Sequence, residues 1–374
     1  DAVINKVAKL VGKKKYDVWV STRLCGELPA GKRTGCWKGT RFQPIPITSA
    51  ATQAQALKVL ENGDSYPGIN ALQIPVRSYP SFGGETGAHV IGYVGSVTEA
   101  DLMNPDKKFY RDEVIGKTGL EYQYDDYLRG VPGIKTVIVD RKEAVTQQTQ
   151  SIPAKSGDNL ITNLNVKLQA TTEKALSQAV MRAKSLGYHA DGGAAVVMDV
   201  HSGKILALAS YPTYDLNIFQ KGLTQAQAKD LFGESTGVPA LIRPLQGMYA
   251  PASTFKSISI VAASKAGYNL NAKYDCPASV QVGNREFKNF ETSPLGMITM
   301  QNAIAVSCDT VWYKIAYDQW IKDGGLSPKS SANDYFFNAA RSFNIGKKTG
   351  IDLPGEASGR LPDRQWKLDY YKQN

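Results

Sequence analysis

Apolar positions in the second half of the chain recur at the spacing of helices and strands. Residues 165–185 intersperse apolar side chains with good helix formers, which predicts a long amphipathic helix. Two apolar runs, 193–200 and 205–210, flank a polar turn centred on Ser202-Gly203 and predict a two-stranded hairpin. Three later apolar stretches predict further helices, at 222–232, 253–266 and 299–315. Strands beside a cluster of helices indicate an α+β domain.

The first 150 residues have a different pattern. Short apolar runs alternate with Pro and Gly, as at 43–47 and 74–77, which predicts extended segments and loops in an elongated, mixed domain. Residues 141–156 then lose periodic hydrophobicity and become polar. Because 374 residues exceed the usual span of one hydrophobic core, we predict two domains, 1–152 and 153–374.

The net charge of the chain excludes few kinds of binding partner. Lys and Arg number 44 against 34 Asp and Glu, a formal net charge of +10 that favours an anionic surface such as a membrane, a cell-wall polymer or nucleic acid. Basic residues scattered over the surface for solubility explain this net charge equally well. Only Lys13-Lys14-Lys15 forms a run, without interleaved aromatics or a recognisable module, so nucleic acid is not an expected partner.

The four cysteines do not form a metal site, because no Cys-x-x-Cys or Cys/His cluster is present. We expect no metal and no cofactor. Cys25 and Cys36 flank a loop and can pair in an oxidising compartment, whereas Cys276 and Cys308 are expected to be isolated buried thiols. No apolar run approaches 18 residues and the first ten are not a signal peptide, so the chain as given is expected to be soluble, and trimmed or processed.

The candidate catalytic pair is Ser253 and Lys256, in the only Ser-x-x-Lys of the chain. The pair precedes an apolar run that indicates a helix start, and a three-residue spacing puts both side chains on one helical face. The lysine can then take the serine proton, if it is neutral, a form that apolar surroundings favour. Taken alone, the four residues are more often an N-cap serine followed by a surface lysine.

A second polar element, Ser307-Cys308-Asp309, lies 54 residues after Ser253 inside an apolar stretch. Ser307 and Asp309 do not face alike in a regular helix, so a helix break that turns both side chains into a cleft is expected. Ser307 is then a candidate proton relay between Lys256 and a leaving amine. Ser-x-Asp by itself is more often a cap or turn, and its weight comes from its position after Ser-x-x-Lys.

These residues resemble the penicillin-binding proteins, whose motifs include Ser-x-x-Lys, Ser-Asp-Asn and Lys-Thr-Gly. The segment Tyr249-Ala-Pro-Ala-Ser-Thr-Phe-Lys256 is similar to that family around its nucleophile. Further segments are similar to the class B, monofunctional transpeptidases: Arg77-Ser-Tyr-Pro80, His89-Val-Ile-Gly-Tyr-Val-Gly95, Gly116-Lys-Thr-Gly-Leu-Glu121, Leu128-Arg-Gly130 and Gly346-Lys-Lys-Thr-Gly-Ile-Asp-Leu-Pro-Gly-Glu356.

The resemblance implies a non-catalytic, dimerisation-type pedestal and a serine β-lactamase-like transpeptidase domain. That domain would cross-link peptidoglycan stem peptides through an acyl-enzyme on Ser253, with Lys256 as base, Ser307 as relay and Asp309 as substrate contact. β-Lactams would acylate the same serine. It also implies a membrane-anchored full-length protein with an extracytoplasmic catalytic domain, and glycosyltransferase or elongation-complex partners.

Two Lys-Thr-Gly sequences are present, but neither fits the third motif. Lys117-Thr-Gly119 precedes the nucleophile and belongs to the pedestal signature, and Lys348-Thr-Gly350 belongs to a segment between the second and third motifs. The third motif is therefore expected beyond Asn374, and the chain as given is expected to be incomplete for catalysis.

Two departures from the family pattern bear on the site. Asp309 stands where most of the family has Asn, a change that the elongation-type penicillin-binding protein 2 subgroup tolerates, and it cannot donate a hydrogen bond when ionised. Ala252 replaces the usual glycine before the nucleophile, and we expect alanine to fit the dihedral angles of a helix start there.

Other functions use the same serine-lysine pair. A β-lactamase or D,D-carboxypeptidase would deliver water to the acyl-enzyme, although the long pedestal argues against one. A penicillin-binding sensor or scaffold would be acylated without making a cross-link.

Overall fold

The computed structural model describes residues 2–39, 44–48, 51–72, 77–79, 85–110, 113–140, 145–221 and 223–373, except the side chains of 139, 145, 148, 220 and 221. The α-helices are α1 Ala2–Val11, α2 Lys15–Ser21, α3 Gln53–Glu61, α4 Ala88–Ile91, α5 Glu99–Leu102, α6 Gly119–Gln123, α7 Asp125–Leu128, α8 Val166–Ser185, α9 Gln225–Phe232, α10 Arg243–Gln246, α11 Lys256–Lys265, α12 Met300–Ala305, α13 Thr310–Lys322, α14 Tyr335–Ser342 and α15 Arg364–Gln373. The strands are β1 Val94–Ser96, β2 Val114–Gly116, β3 Ile134–Val139, β4 Val145–Ile152, β5 Gly193–Met198, β6 Ile205–Tyr211, β7 Lys273–Cys276, β8 Ser279–Val282, β9 Arg285–Lys288 and β10 Gly296–Thr299.

The strands of the described residues form antiparallel pairs: β1 with β2, β3 with β4, β5 with β6, β7 with β10, and β8 with β9. This mixture confirms the predicted α+β class. Of the segments predicted to be extended or loop, Gln43, 74–76, Pro80 and 141–144 lie outside the described residues.

The chain divides into two compact units. The first contains Asp1–Pro244 with Asp352–Pro354, and the second contains Leu245–Ile351 with Gly355–Asn374. The domain boundary near residue 152, which composition suggests, stays a prediction.

In the first unit, three N-terminal helices share one core. The apolar face of α1 packs with α2 and α3 through Val7, Ala8, Val18 and Val59. In the loop after α2, Cys25 and Cys36 form a disulfide, which confirms the pairing that their spacing allowed. The lysines of α1 that do not belong to this core, Lys6 and Lys9, lie exposed.

Two of the family-like segments in the first unit pack backbone against backbone. β1 pairs with β2, and a Cβ at Gly92 or Gly116 would overlap the main chain at Thr118 or Glu121. Only glycine permits this approach. Gly92 and Gly116, within the segments 89–95 and 116–121, are therefore required by the fold of this unit. Lys117-Thr-Gly119 follows β2 and leads into α6, so it does not form the inner strand of a catalytic cleft.

The predicted long helix and hairpin are both confirmed. Asn165 caps α8, since its side chain accepts from Leu168 N at 3.1 Å. Buried Gln169 then donates to Leu208 O at 2.9 Å and accepts from Leu208 N at 2.8 Å, which ties α8 to β6. His201 lies exposed in the turn between β5 and β6.

The core of the second unit positions the candidate site. Buried residues of α11, β7, α12 and α13 form one cluster, which includes Ala263, Met300, Val311 and Trp312. The other face of α11 packs against α14. The start of α11 and the junction of α12 with α13 are thereby fixed to the same core.

Two predictions about this unit need correction. The single helix predicted at 299–315 is two helices, because the chain breaks at 306–309, as the polar residues there suggested. Cys276 and Cys308 are not isolated thiols, since they form a disulfide with a Cα–Cα distance of 6.4 Å. Antiparallel β7 and β10 bring the two cysteines together across 32 residues, a pairing that local sequence does not show.

Among the described residues, no helix is both long and apolar enough to cross a membrane.

Candidate active site

Ser253 and Lys256 lie on consecutive turns at the start of one helix. Ser253 sits in a short 3-10 turn, Ala252–Phe255, and Lys256 is the first residue of α11. Lys256 Nζ is 3.1 Å from Ser253 Oγ. The serine is exposed, whereas the lysine side chain is 8% exposed. The predicted shared face is confirmed, and the reading of Lys256 as a surface lysine is wrong.

Ser307 completes a triangle of polar atoms with this pair. Its Oγ is 2.9 Å from Ser253 Oγ and 2.9 Å from Lys256 Nζ. The carbonyl oxygen of Ser307 also accepts from Lys256 Nζ, at 2.7 Å. Ser307 reaches this position in a left-handed backbone conformation, with φ of +56°. The helix break is thus what turns Ser307 towards the lysine.

Asp309 is the third residue that places an oxygen at the lysine. Its Oδ1 is 2.6 Å from Lys256 Nζ, and its side chain is 22% exposed. The carboxylate therefore contacts the lysine directly, while the substrate contact expected of Asp309 stays a prediction. The pKa of Tyr313, one turn along α13, is raised mainly by burial of its hydroxyl and secondly by the negative charge of Asp309.

Lys256 Nζ has four oxygen neighbours within 3.1 Å: Ser253 Oγ, Ser307 Oγ, Ser307 O and Asp309 Oδ1. An ammonium group has only three N–H donors. One contact must therefore share a hydrogen, or a serine hydroxyl must donate to the amine in its neutral form. The cluster is built so that a proton can pass between the two hydroxyls and the amine.

Ala252, directly before the nucleophile candidate, adopts a left-handed conformation with φ of +48°. The expectation that alanine fits an ordinary helix start is wrong, because this region disfavours residues with a Cβ and favours glycine. The sequence difference from the family therefore falls at a strained position.

Asn289 is a buried residue at the site that sequence patterns did not reveal. Its Oδ1 accepts from Asp309 N at 2.7 Å and from Thr310 N at 3.0 Å. It lies 20 residues before Asp309, just after β9, and no motif marks it. Polar residues such as Lys288 and Glu291 stand close to it in the sequence, so nothing in the sequence distinguishes Asn289 from them.

Two other sequence motifs lack the local structure that a catalytic role would require. Residues 233–237 match the Gly-x-Ser-x-Gly sequence of α/β-hydrolases, in which the serine follows a strand, but Ser235 follows helix α9 and lies in a 3-10 turn. Thr349, in Lys348-Thr-Gly350, donates its hydroxyl to Glu356 at 2.6 Å outside any strand. No group of three or more His, Cys, Asp or Glu that could hold a metal ion occurs in the described part of the chain.

The α+β fold and the serine-lysine-serine cluster at a helix start define a class of protein. Comparison of the sequence with family models identifies this class. Residues 193–374 match the penicillin binding protein transpeptidase domain, and residues 1–162 match the penicillin-binding protein dimerisation domain. The chain belongs to the class B penicillin-binding proteins, which confirms the resemblance inferred from its motifs.

Individual relatives place it with the elongation-type penicillin-binding protein 2 group. It is 30% identical over 341 residues to the peptidoglycan D,D-transpeptidase MrdA of Escherichia coli K12, covering 89% of this chain and 50% of MrdA. It is 30% identical over 344 residues to MrdA of Haemophilus influenzae, covering 90% of this chain and 49% of that one. The chain thus spans about half the length of these relatives.

Solved structures agree on the fold. The chain matches penicillin-binding protein 2 from Helicobacter pylori, solved in complex with MreC, with a TM-score of 0.76 and 24% identity over 99% of this chain and 62% of that one. It matches a chain of a peptidoglycan synthase complex with a TM-score of 0.64 and 28% identity, over 85% of this chain and 54% of the other.

Proposed function

We propose that the protein is a peptidoglycan D,D-transpeptidase of cell-wall elongation that works through an acyl-enzyme on Ser253. The observation that carries the proposal is the cluster of Ser253 Oγ, Lys256 Nζ and Ser307 Oγ, each within 3.1 Å of the other two. Membership of the family and the names of the relatives support the same reaction.

In the proposed acylation, neutral Lys256 takes the Ser253 proton as Oγ attacks the carbonyl of the penultimate D-alanine. The C–N bond to the terminal D-alanine then breaks, and the proton passes through Ser307 Oγ to the leaving nitrogen. In the second half, an amine of a neighbouring stem peptide attacks the ester. Its proton returns by the same route, and Ser253 is released.

β-Lactams would acylate the same oxygen, since ring opening replaces departure of D-alanine. Asp309 would contact the substrate while holding Lys256. For the full-length protein we propose a membrane anchor, an extracytoplasmic catalytic domain and partners in an elongation complex. The partner proposal is supported by the related proteins solved with MreC and in a peptidoglycan synthase complex.

The test is mass spectrometry of the full-length protein after penicillin treatment, with Ser253→Ala and Lys256→Ala beside it. We expect one adduct, on the peptide that contains Ser253, which Ser253→Ala abolishes. Lys256→Ala should slow acylation by about 10² to 10⁴, the usual contribution of a general base.

Two controls come from the same helix. Ser257 is an exposed hydroxyl that donates to Thr254 O at 2.7 Å, and Lys265 ends α11. Ser257→Ala and Lys265→Ala should acylate as the unchanged protein does. An adduct that persists in Ser253→Ala would refute the assignment, and rapid hydrolysis of the adduct would favour a β-lactamase or carboxypeptidase.

A further inference from the structure

The residue between Ser307 and Asp309 is covalently tied to the sheet of the second unit. Cys308 is 1% exposed and is bonded to Cys276, which is 0% exposed and ends β7. Cys276 is itself held by β10, since it pairs with Gly296 and its carbonyl accepts from Leu295 N at 2.9 Å. The loop that carries both polar side chains therefore has a covalent anchor at its centre.

Asn289 holds the backbone of the same loop by hydrogen bonds. While its Oδ1 accepts from the backbone of Asp309 and Thr310, its Nδ2 donates to Pro277 O at 2.8 Å and to Thr310 Oγ1 at 3.2 Å. Thr310 Oγ1 also donates to Pro277 O, at 2.9 Å. Pro277 follows Cys276, so the amide and the disulfide attach the loop to one point of the sheet.

The loop needs such an attachment because its conformation is unfavourable by itself. Ser307 has a φ of +56°, a region that residues with a Cβ rarely adopt unless the surroundings impose it. In that conformation both oxygens of Ser307 face Lys256 Nζ. A relaxed Ser307 would move its hydroxyl away from the lysine.

We propose that the Cys276–Cys308 disulfide and the Asn289 side chain form a positioning brace that holds Ser307 and Asp309 against Lys256 for acylation. The inference rests on the proposed acyl-transfer function of Ser253. Neither the disulfide nor Asn289 touches the reacting atoms. The brace acts through the backbone of the loop. A displacement of about 1 Å in a catalytic group can slow a reaction by a factor of about 10².

The first test removes each disulfide of the full-length protein in turn. A fluorescent penicillin is used to measure two quantities: the dissociation constant of the non-covalent complex and the rate constant of acylation. Both are determined for the folded fraction of each variant. We expect Cys276→Ala/Cys308→Ala to lower the rate constant about tenfold or more. The matched control is Cys25→Ala/Cys36→Ala, which removes the other disulfide from the first unit and should leave the rate constant within twofold of the unchanged value.

A purely structural disulfide would give a different result. Loss of Cys276–Cys308 would then lower the melting temperature, while the folded fraction would keep the rate constant of the unchanged protein. That outcome would overturn the role of the disulfide in positioning.

The second test keeps both disulfides and changes Asn289. Asn289→Leu removes the acceptor for both backbone N–H groups and should lower the acylation rate constant at least tenfold. Asn289→Asp keeps an acceptor for both N–H groups but cannot donate to Pro277 O, so it should recover part of that loss. Equal rate constants in the two variants, or an unchanged rate constant in Asn289→Leu, would overturn the positioning role of Asn289, even if the cysteine variant fails to fold.

Failure of this inference is distinguishable from failure of the proposed function. If penicillin leaves Ser253 of the unchanged protein unmodified, the proposed function is wrong and the brace falls with it. If Ser253 is acylated and all brace variants react at the unchanged rate, only the brace is wrong.

Discussion

Replacing Ala252 by glycine is expected to stabilise the second unit. Ala252 has a φ of +48° and is exposed, so the substitution removes an unfavourable contact of its Cβ without opening a core cavity. The left-handed region disfavours alanine relative to glycine by about 1 to 2 kcal/mol. The greater freedom of glycine in the unfolded chain offsets about 0.5 to 1 kcal/mol of this gain.

The net gain is therefore about 0.5 to 1 kcal/mol, which corresponds to a rise of about 2 °C in the melting temperature of a unit of this size. Calorimetry of the full-length protein, followed at the transition of the second unit, measures it. The control is Ala316→Gly in the interior of α13, which should lower stability by about 1 kcal/mol because glycine is a poor helix former.

The critical result is that Ala252→Gly raises the stability of the second unit whereas Ala316→Gly lowers it. If Ala252→Gly is destabilising to the same extent as Ala316→Gly, the backbone at Ala252 is not strained and the left-handed start of the nucleophile turn is wrong.

Three further changes test other contacts. Burial of His89 lowers its pKa from 6.5 to about 4, so the unfolded chain binds the proton more readily and stability should fall by about 3 kcal/mol between pH 6.5 and 4. His89→Gln should flatten that dependence in unfolding experiments across this range, and an unchanged slope would contradict it. Gln169→Leu leaves two buried backbone groups of Leu208 without their partner and should lower the free energy of unfolding by about 2 to 4 kcal/mol, whereas a neutral result in urea unfolding would refute the tie between α8 and β6. Asp309→Ala should lower the free energy of unfolding by about 3 kcal/mol, because it leaves Lys256 buried without its carboxylate. Asp309→Asn should lower it by less, since an oxygen remains beside Lys256. Equal losses of stability for the two variants in denaturant titrations would contradict a contribution from the charge of Asp309.

Features that depend on neighbours along the chain could be read from the sequence. The helix periodicity of 165–185 and the turn at 201–204 predicted α8 and the β5–β6 hairpin. A three-residue spacing on one helix placed Ser253 beside Lys256, since helix geometry brings such positions together. Polar residues within an apolar stretch predicted the break before α13.

Features that depend on distant segments were decided only by the tertiary structure. The Cys276–Cys308 bond joins residues 32 apart, and Asn289 reaches Asp309 across 20 residues. The contact of Asp309 with Lys256 requires α11, β7, α12 and α13 to share one core. Sequence periodicity records which face of a segment is buried, but not which segment covers it. The contact between Asp309 and Lys256, and the left-handed conformation of Ala252, arise from that packing.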